Sequence, residues 1–205
     1  MMIDGLKRRF LKVVHPLTTV NLELTNDCNM DCWYCPRKKR PIGYMTMDLF
    51  KRLIHEIPES CLVGLSYGGE SIVHPQFQEM AEIAHKKFNH LRVNSNGLVK
   101  TYPTFIETIV LPKPPSVIFT FDQKFLSQKP DSLLPKYSFC VAPFYSMEIL
   151  WNGDVTVCCH DVAGIRVLDS VQDRSVLEVW NGEAYKHLRK VGYCEGCELF
   201  RYYGK

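Results

Sequence analysis

Residues 28–35 read CNMDCWYC, three cysteines within eight residues at the spacing C-x3-C-x2-C. The stretch follows at once on TVNLELTN at 19–26, whose apolar and polar residues alternate as in a β-strand. A tetrahedral zinc site takes four ligands and this loop supplies three, so zinc would have to borrow a distant fourth. A cubane of four irons and four sulfurs held by three thiolates instead keeps one iron open to an exchangeable ligand.

Composition narrows the choice. With 205 residues and 46% hydrophobic side chains, the chain suits one domain, or one with a small appendix. No run reaches the roughly 18 apolar residues of a membrane span, and MMIDGLKRRFLKVVHPL lacks the apolar block of a signal peptide, which points to the cytoplasm and away from membranes. A net charge of +3 is too mild to imply nucleic acid, and the clusters Lys7, Arg8, Arg9 and Arg37, Lys38, Lys39, Arg40 read as solvated faces. Nine cysteines without an export signal then indicate metal or redox chemistry rather than disulfides. They fall into groups: Cys28, Cys32, Cys35; Cys140, Cys158, Cys159; and Cys194, Cys197. Lone Cys61 opens an apolar strand and reads as a small buried hydrophobe.

Up to residue 122, strands and helices alternate. After the cysteine loop, MTMDLFKRLIHEIP predicts a helix capped by Thr46, with Leu49, Phe50, Leu53, Ile54 and Ile57 on one face. CLVGLSY predicts a strand running into the loop GGES. PQFQEMAEIAHKKF predicts a helix burying Phe77, Met80, Ala81, Ala84 and Phe88. LRVNSNG is a third strand, TFIETIV a weaker helix and SVIFTFD a fourth strand. Such alternation argues for a parallel sheet with crossover helices, with ligands gathering at the carboxyl ends of the strands. A proline-containing connection follows, and a boundary near 130 divides the chain. Beyond it, SMEILWNGDVTVCCHD predicts a hairpin turning at Asn152 and Gly153. Alternation along its second strand sends Cys158 and Cys159 to opposite faces. SVLEVWNGEAYKHLRKV reads as a broken helix packed through Leu177, Val179 and Trp180.

The cysteine loop resembles the C-x3-C-x-aromatic-C motif of the radical S-adenosylmethionine (SAM) superfamily, with Tyr34 at the aromatic position. YGGE resembles that family's GGE element and NSNG its third-strand element. The resemblance implies an α/β fold, a partial (β/α) TIM barrel, and a 4Fe–4S cluster on Cys28, Cys32 and Cys35 whose open iron chelates SAM. Reductive cleavage of SAM would release a 5′-deoxyadenosyl radical that abstracts hydrogen from a substrate, with flavodoxin or ferredoxin as the source of electrons. It also implies that Glu70 and the backbone of Gly68 and Gly69 hold the SAM amino group, that Asn96 and Asp122 lie near its ribose or carboxylate, and that Tyr34 lies near its adenine.

Cys140, Gly153, Cys158 and the closing pair Cys194 and Cys197 resemble the twitch domain, a shortened SPASM module. Four thiolates would complete a second, auxiliary 4Fe–4S cluster with no open iron, although four cysteines also make a common structural zinc set. The implied organisation is an N-terminal extension (1–17), a truncated radical SAM barrel (18–130) and a twitch domain (131–205). Only a short stretch separates Asp122 from Cys140, so two barrel units and an arginine contact usual in the family have no place, and the open side of the sheet calls for a partner protein or a second copy. Three functions suit this organisation. One is maturation of a ribosomally made precursor peptide with a separate leader-binding protein, tyramine-excising spliceases being the small-chain precedent. The second is a cyclitol-type small-molecule dehydrogenase that uses the auxiliary cluster as electron acceptor. The third is an iron–sulfur or zinc scaffold without catalysis.

Overall fold

The computed structural model describes residues 15–33, 35–99, 103–110, 140–158 and 161–191. Strands β1 (Thr19–Leu22), β2 (Leu62–Gly64), β3 (Leu91–Ser95) and β4 (Glu107–Val110) are parallel neighbours. Helix α1 (Met47–Glu56) joins β1 to β2, and α2 (Phe77–His85) joins β2 to β3. This is the strand and helix layering of a partial TIM barrel.

The helices form where their apolar spacing places them. The Thr46 hydroxyl caps α1 by accepting from the Leu49 amide. Leu49, Phe50, Leu53, Ile54 and Ile57 are all buried, as are Phe77, Met80, Ala81, Ala84 and Phe88 on the second helix. These side chains pack on Val20, Leu22, Val63, Leu91 and Val93 from the outward face of the sheet. Cys61 is buried among them, its thiol donating to the Leu17 carbonyl at 3.2 Å, as expected of a small apolar residue.

Two expectations need correction. Within TFIETIV, Glu107–Val110 forms strand β4, and no part of the segment is helical. Thr108, Ile109 and Val110 are β-branched, and parallel pairing with β3 satisfies their backbone. Leu177 is exposed, and the buried stripe of its helix is Val176, Val179 and Trp180. The sheet edge at β1 is taken by β5 (Ser146–Ile149), paired in parallel from Thr19↔Ser146 to Leu22↔Ile149. The C-terminal module therefore continues the sheet at β1, whereas the side expected to be open, beyond the strand carrying Asp122, lies outside the described residues. The fourth predicted strand, at 116–122, and the boundary near 130 lie outside the described residues.

β6 (Asp154–Thr156) and β7 (Asp169–Ser170) extend the sheet antiparallel, giving the order β4-β3-β2-β1-β5-β6-β7 among the described residues. The β5–β6 turn falls at Asn152 and Gly153 as expected, with Gly153 at φ +85°, where a side chain would be strained. Helices α3 (Val176–Trp180) and α4 (Glu183–Val191) break at Asn181 and Gly182. A capping box between Ser175 and Glu178 starts the first of them. Trp180 donates to the His15 carbonyl at 2.9 Å, and Arg189 stacks 4.1 Å from its ring.

Candidate cluster and cofactor site

The chain leaving β1 runs through Thr25, Asn26 and Asp27, and these close the base of the cysteine loop. Thr25 donates its hydroxyl to the Gly43 carbonyl at 2.7 Å, and Asn26 holds Pro41 and Gly43 through both ends of its amide at 2.8 Å. Asp27 accepts from the Cys28 amide at 2.8 Å and from the Tyr44 hydroxyl at 2.6 Å. Inside the loop Arg37 is buried, donating to the carbonyls of Asn26 at 3.2 Å and Met30 at 2.9 Å. The excursion from 27 to 44 is thus pinned at its ends and braced from within.

The GGE loop after β2 packs directly on this base. The Glu70 amide donates to the Asp27 carbonyl at 2.8 Å, and a Cβ at Gly69 would stand 2.3 Å from that same oxygen. Glycine is required there by the close approach of two backbones. The buried Glu70 carboxylate accepts from the Ser95 hydroxyl at 3.2 Å and the Asn96 amide at 2.7 Å, joining the second strand end to the third. Asn96 in turn places its Nδ2 3.5 Å from the Cys28 sulfur and 2.7 Å from the Asn29 side-chain oxygen. Cys28, Gly68, Gly69, Glu70 and Asn96 therefore meet at the carboxyl ends of adjacent strands, where the sequence placed them. Tyr34, Asp122, Cys194 and Cys197 lie outside the described residues.

A buried ion pair, invisible to the motif reading, ties this site to the C-terminal module. Glu23 takes both Arg40 nitrogens, at 2.5 and 2.7 Å, and also accepts from the amides of Gly68 at 3.1 Å and Trp151 at 3.3 Å. Arg40 Nε donates to the Val162 carbonyl at 3.1 Å. Tyr67, next to the GGE loop, donates its hydroxyl to the Cys158 carbonyl at 2.7 Å. Burial and the nearby Glu148 and Asp161 carboxylates push the Tyr67 phenol far up, so it stays a donor. Arg37 and Arg40 are consequently not solvated charges: a 3-10 turn over Pro36–Lys39 puts residues three apart on one side, and that side faces inward.

Among the described residues no three His, Cys, Asp or Glu side chains stand together closely enough to hold a metal ion. The donor set nonetheless suits an iron–sulfur cluster. Cys28, Cys32 and Cys35 are free, partly exposed thiols of one loop, and the Cys28 sulfur receives N–H groups from Asn96 and, at 3.4 Å, from Met30. Hydrogen bonds of this kind stabilise cluster thiolates and tune their potential. Partial burial pushes the Cys28 thiol up, while the Met30 amide and Arg37 pull it down. His74 is structural: burial lowers its pKa, and its ring holds the Met45 carbonyl at 3.1 Å and the Gln76 amide at 3.0 Å. No helix among the described residues is long and apolar enough to cross a membrane.

Comparison with known proteins agrees with this geometry. The radical SAM superfamily profile matches residues 22–111, and the SPASM iron–sulfur cluster-binding domain matches residues 140–198. The antilisterial bacteriocin subtilosin biosynthesis protein AlbA of Bacillus subtilis is 30% identical over 92 residues, covering 39% of this chain and 20% of that protein. The S-adenosylmethionine-dependent nucleotide dehydratase of Selenomonas ruminantium is 29% identical over 119 residues, covering 57% of this chain and 40% of that one. The chain thus spans less than half the length of either relative. Among solved structures, BtrN in complex with AdoMet and 2-DOIA superposes with a TM-score of 0.69 at 15% identity, over 88% of this chain and 89% of that one. Streptococcus suis SuiB bound to precursor peptide SuiA superposes with a TM-score of 0.63 at 9% identity, over 92% of this chain and 69% of that one. At these identities the superpositions establish a shared fold.

Proposed function

Since this chain belongs to the radical SAM superfamily and carries a SPASM-type iron–sulfur domain, a radical SAM enzyme binding SAM, a 4Fe–4S cluster and an auxiliary cluster, we propose that it modifies a ribosomally made peptide. The observation that carries the reading is a polar row across the face of the sheet opposite the helices. Glu148, Asn21, Gly64, Arg92 and Glu107 are in register on five adjacent strands, β5, β1, β2, β3 and β4. At a strand spacing of about 4.8 Å the row runs about 19 Å, the length of five to six extended residues and well beyond one sugar-sized ring. Its far end, the Arg92–Glu107 pair at 3.3 Å, is exposed and accessible to an incoming chain. AlbA and SuiB, which belong to bacteriocin biosynthesis and to a precursor-peptide complex by name, favour the same class.

When bound, the cluster would supply one electron to SAM, and the pair together would supply hydrogen-atom abstraction from the substrate. In this reading Cys28, Cys32 and Cys35 hold that cluster, and Tyr34, Gly68, Gly69, Glu70, Asn96 and Asp122 contact SAM. Glu70 fixes the Asn96 backbone, and Asn96 positions the Cys28 sulfur. Cys140, Cys158, Cys194 and Cys197 hold the auxiliary cluster, and Tyr67 and Arg40 keep its loop registered against the GGE loop. A separate leader-binding protein delivers the peptide. The second reading, a small-molecule dehydrogenase, is favoured by the 0.69 superposition on BtrN in complex with 2-DOIA.

Anaerobic incubation with SAM, reductant and candidate precursor peptides, read by peptide mass, tests the proposal. A peptide losing hydrogen or gaining a cross-link supports it, and turnover of a cyclitol alone with no peptide change overturns it.

A further inference from the structure

The polar row reaches, on β5, a side chain that the described residues leave unsatisfied. Glu148 is 3% exposed, and its Oε2 has no hydrogen-bond partner among the described residues. Buried polar atoms are nearly always paired, so an orphan acceptor marks a place where a partner arrives from outside. The neighbours of Glu148 in sequence, Met147 and Ile149, join the core under the helices, so alternation sends Glu148 to the opposite face. Its partner in register, Asn21, leans over Gly64: a Cβ built at Gly64 would lie 2.0 Å from the Asn21 amide oxygen. Tyr67 lies close enough for the Glu148 charge to act on it, which puts this end of the row on the side of the Cys158 loop.

We propose that Glu148 is a substrate-contacting residue whose Oε2 accepts a hydrogen bond from a hydroxyl or ammonium group of the substrate, at the auxiliary-cluster end of the row. The assignment rests on the reading that the face of the sheet opposite the helices holds the substrate. It adds to that reading the class of group recognised: a donor-bearing side chain of a peptide crossing the strands. A carboxylate kept solely for the fold would have its lone pairs filled, as those of Glu23 and Glu70 are. Here burial pushes the Glu148 carboxyl up to about 7, with Asn21 pulling it only part of the way back. The free protein therefore tolerates a poorly solvated acid that an incoming donor would satisfy.

The test uses the reconstituted protein with SAM and dithionite. The probes are amidated pentapeptides, Gly-Gly-Xaa-Gly-Gly, with deuterated lysine, tyrosine, serine or norleucine at the centre, and the deuterated aminocyclitol 2-deoxystreptamine. The readout is deuterium found per 5′-deoxyadenosine formed, with thermal unfolding recorded on the same samples. A donor-bearing probe should outperform norleucine, and Glu148→Leu should lower its transfer about ten- to a hundredfold, the effect of one hydrogen bond to a charged group. Glu148→Gln keeps a neutral acceptor, so it should rescue a hydroxyl probe and not an ammonium one, which identifies the donor. Transfer from the aminocyclitol alone, lost in Glu148→Leu, would overturn the peptide reading and keep Glu148 in place. Transfer unchanged in Glu148→Leu overturns the inference. If no probe gives transfer, unfolding decides: a lower temperature in both variants assigns Glu148 to the fold and overturns it, and a higher temperature in both supports a carboxylate held for a ligand.

Discussion

Replacing Arg40 by methionine removes one half of the buried pair that joins the two modules. Glu23 is fully buried and loses both guanidinium bonds, at 2.5 and 2.7 Å, while keeping the Gly68 and Trp151 amides. Stranding a buried charge costs about 3–5 kcal/mol, and the two remaining amides put this case near the lower figure. With a urea slope of about 2 kcal/mol/M, a loss of about 3 kcal/mol moves the unfolding midpoint down by about 1.5 M. Pairing Arg40→Met with Glu23→Gln removes the stranded charge and should recover most of the loss. Because Glu23 also fixes the Gly68 amide, SAM binding should weaken in the single variant and return in part in the double. Urea unfolding of the reconstituted protein, followed by circular dichroism, measures this. A single variant within about 1 kcal/mol of the parent would instead mean that Glu23 meets water and that the pair does not hold the modules together.

Three further outcomes follow from the same geometry. Gly69→Ala drives a Cβ against the backbone of Asp27 and Thr25, at 2.3 and 2.5 Å, so it should lower stability by about 1–3 kcal/mol and weaken SAM binding by calorimetry, whereas Gly64→Ala meets only the movable Asn21 side chain and should cost less. The Glu148 carboxyl is raised to about 7 from an ordinary 4.5, so the folded protein binds more protons between those values and stability falls as pH rises through that window; between pH 6 and 8 the loss is about 1 kcal/mol, absent in Glu148→Gln, by urea melts at both pH values. Asn96→Leu removes the N–H aimed at the Cys28 sulfur and should shift the reduction potential of the SAM cluster, read by redox titration, without changing iron content.

Much of the fold is written locally. The stripes of α1 and α2 and the Thr46 cap follow from spacing that any packing partner would exploit. TFIETIV was ambiguous because Phe105, Ile106, Ile109 and Val110 also suit a helical face; its β-branched run carried the strand signal, and pairing with β3 realised it. Leu177 shows the limit of choosing core residues by type, since positions 176, 179 and 180 hold the helical spacing that faces inward. The motif residues were legible because backbone approaches demand glycine at 69 and a loop demands clustered cysteines. The Glu23–Arg40 pair was not, since 17 residues separate its members and only the cysteine-loop excursion unites them. The polar row was hidden for a similar reason: alternation reveals which face a residue takes, and only strand pairing reveals its neighbours.

The most direct test of the central claim is 5′-deoxyadenosine formation after anaerobic reconstitution with iron and sulfide, given SAM and dithionite, beside a variant with Cys28, Cys32 and Cys35 all changed to Ala. The parent should form 5′-deoxyadenosine and the variant none, with residual iron in the variant held by the auxiliary module. Equal formation by both proteins, or a parent that binds iron and SAM yet forms none with its substrate present, would contradict that claim.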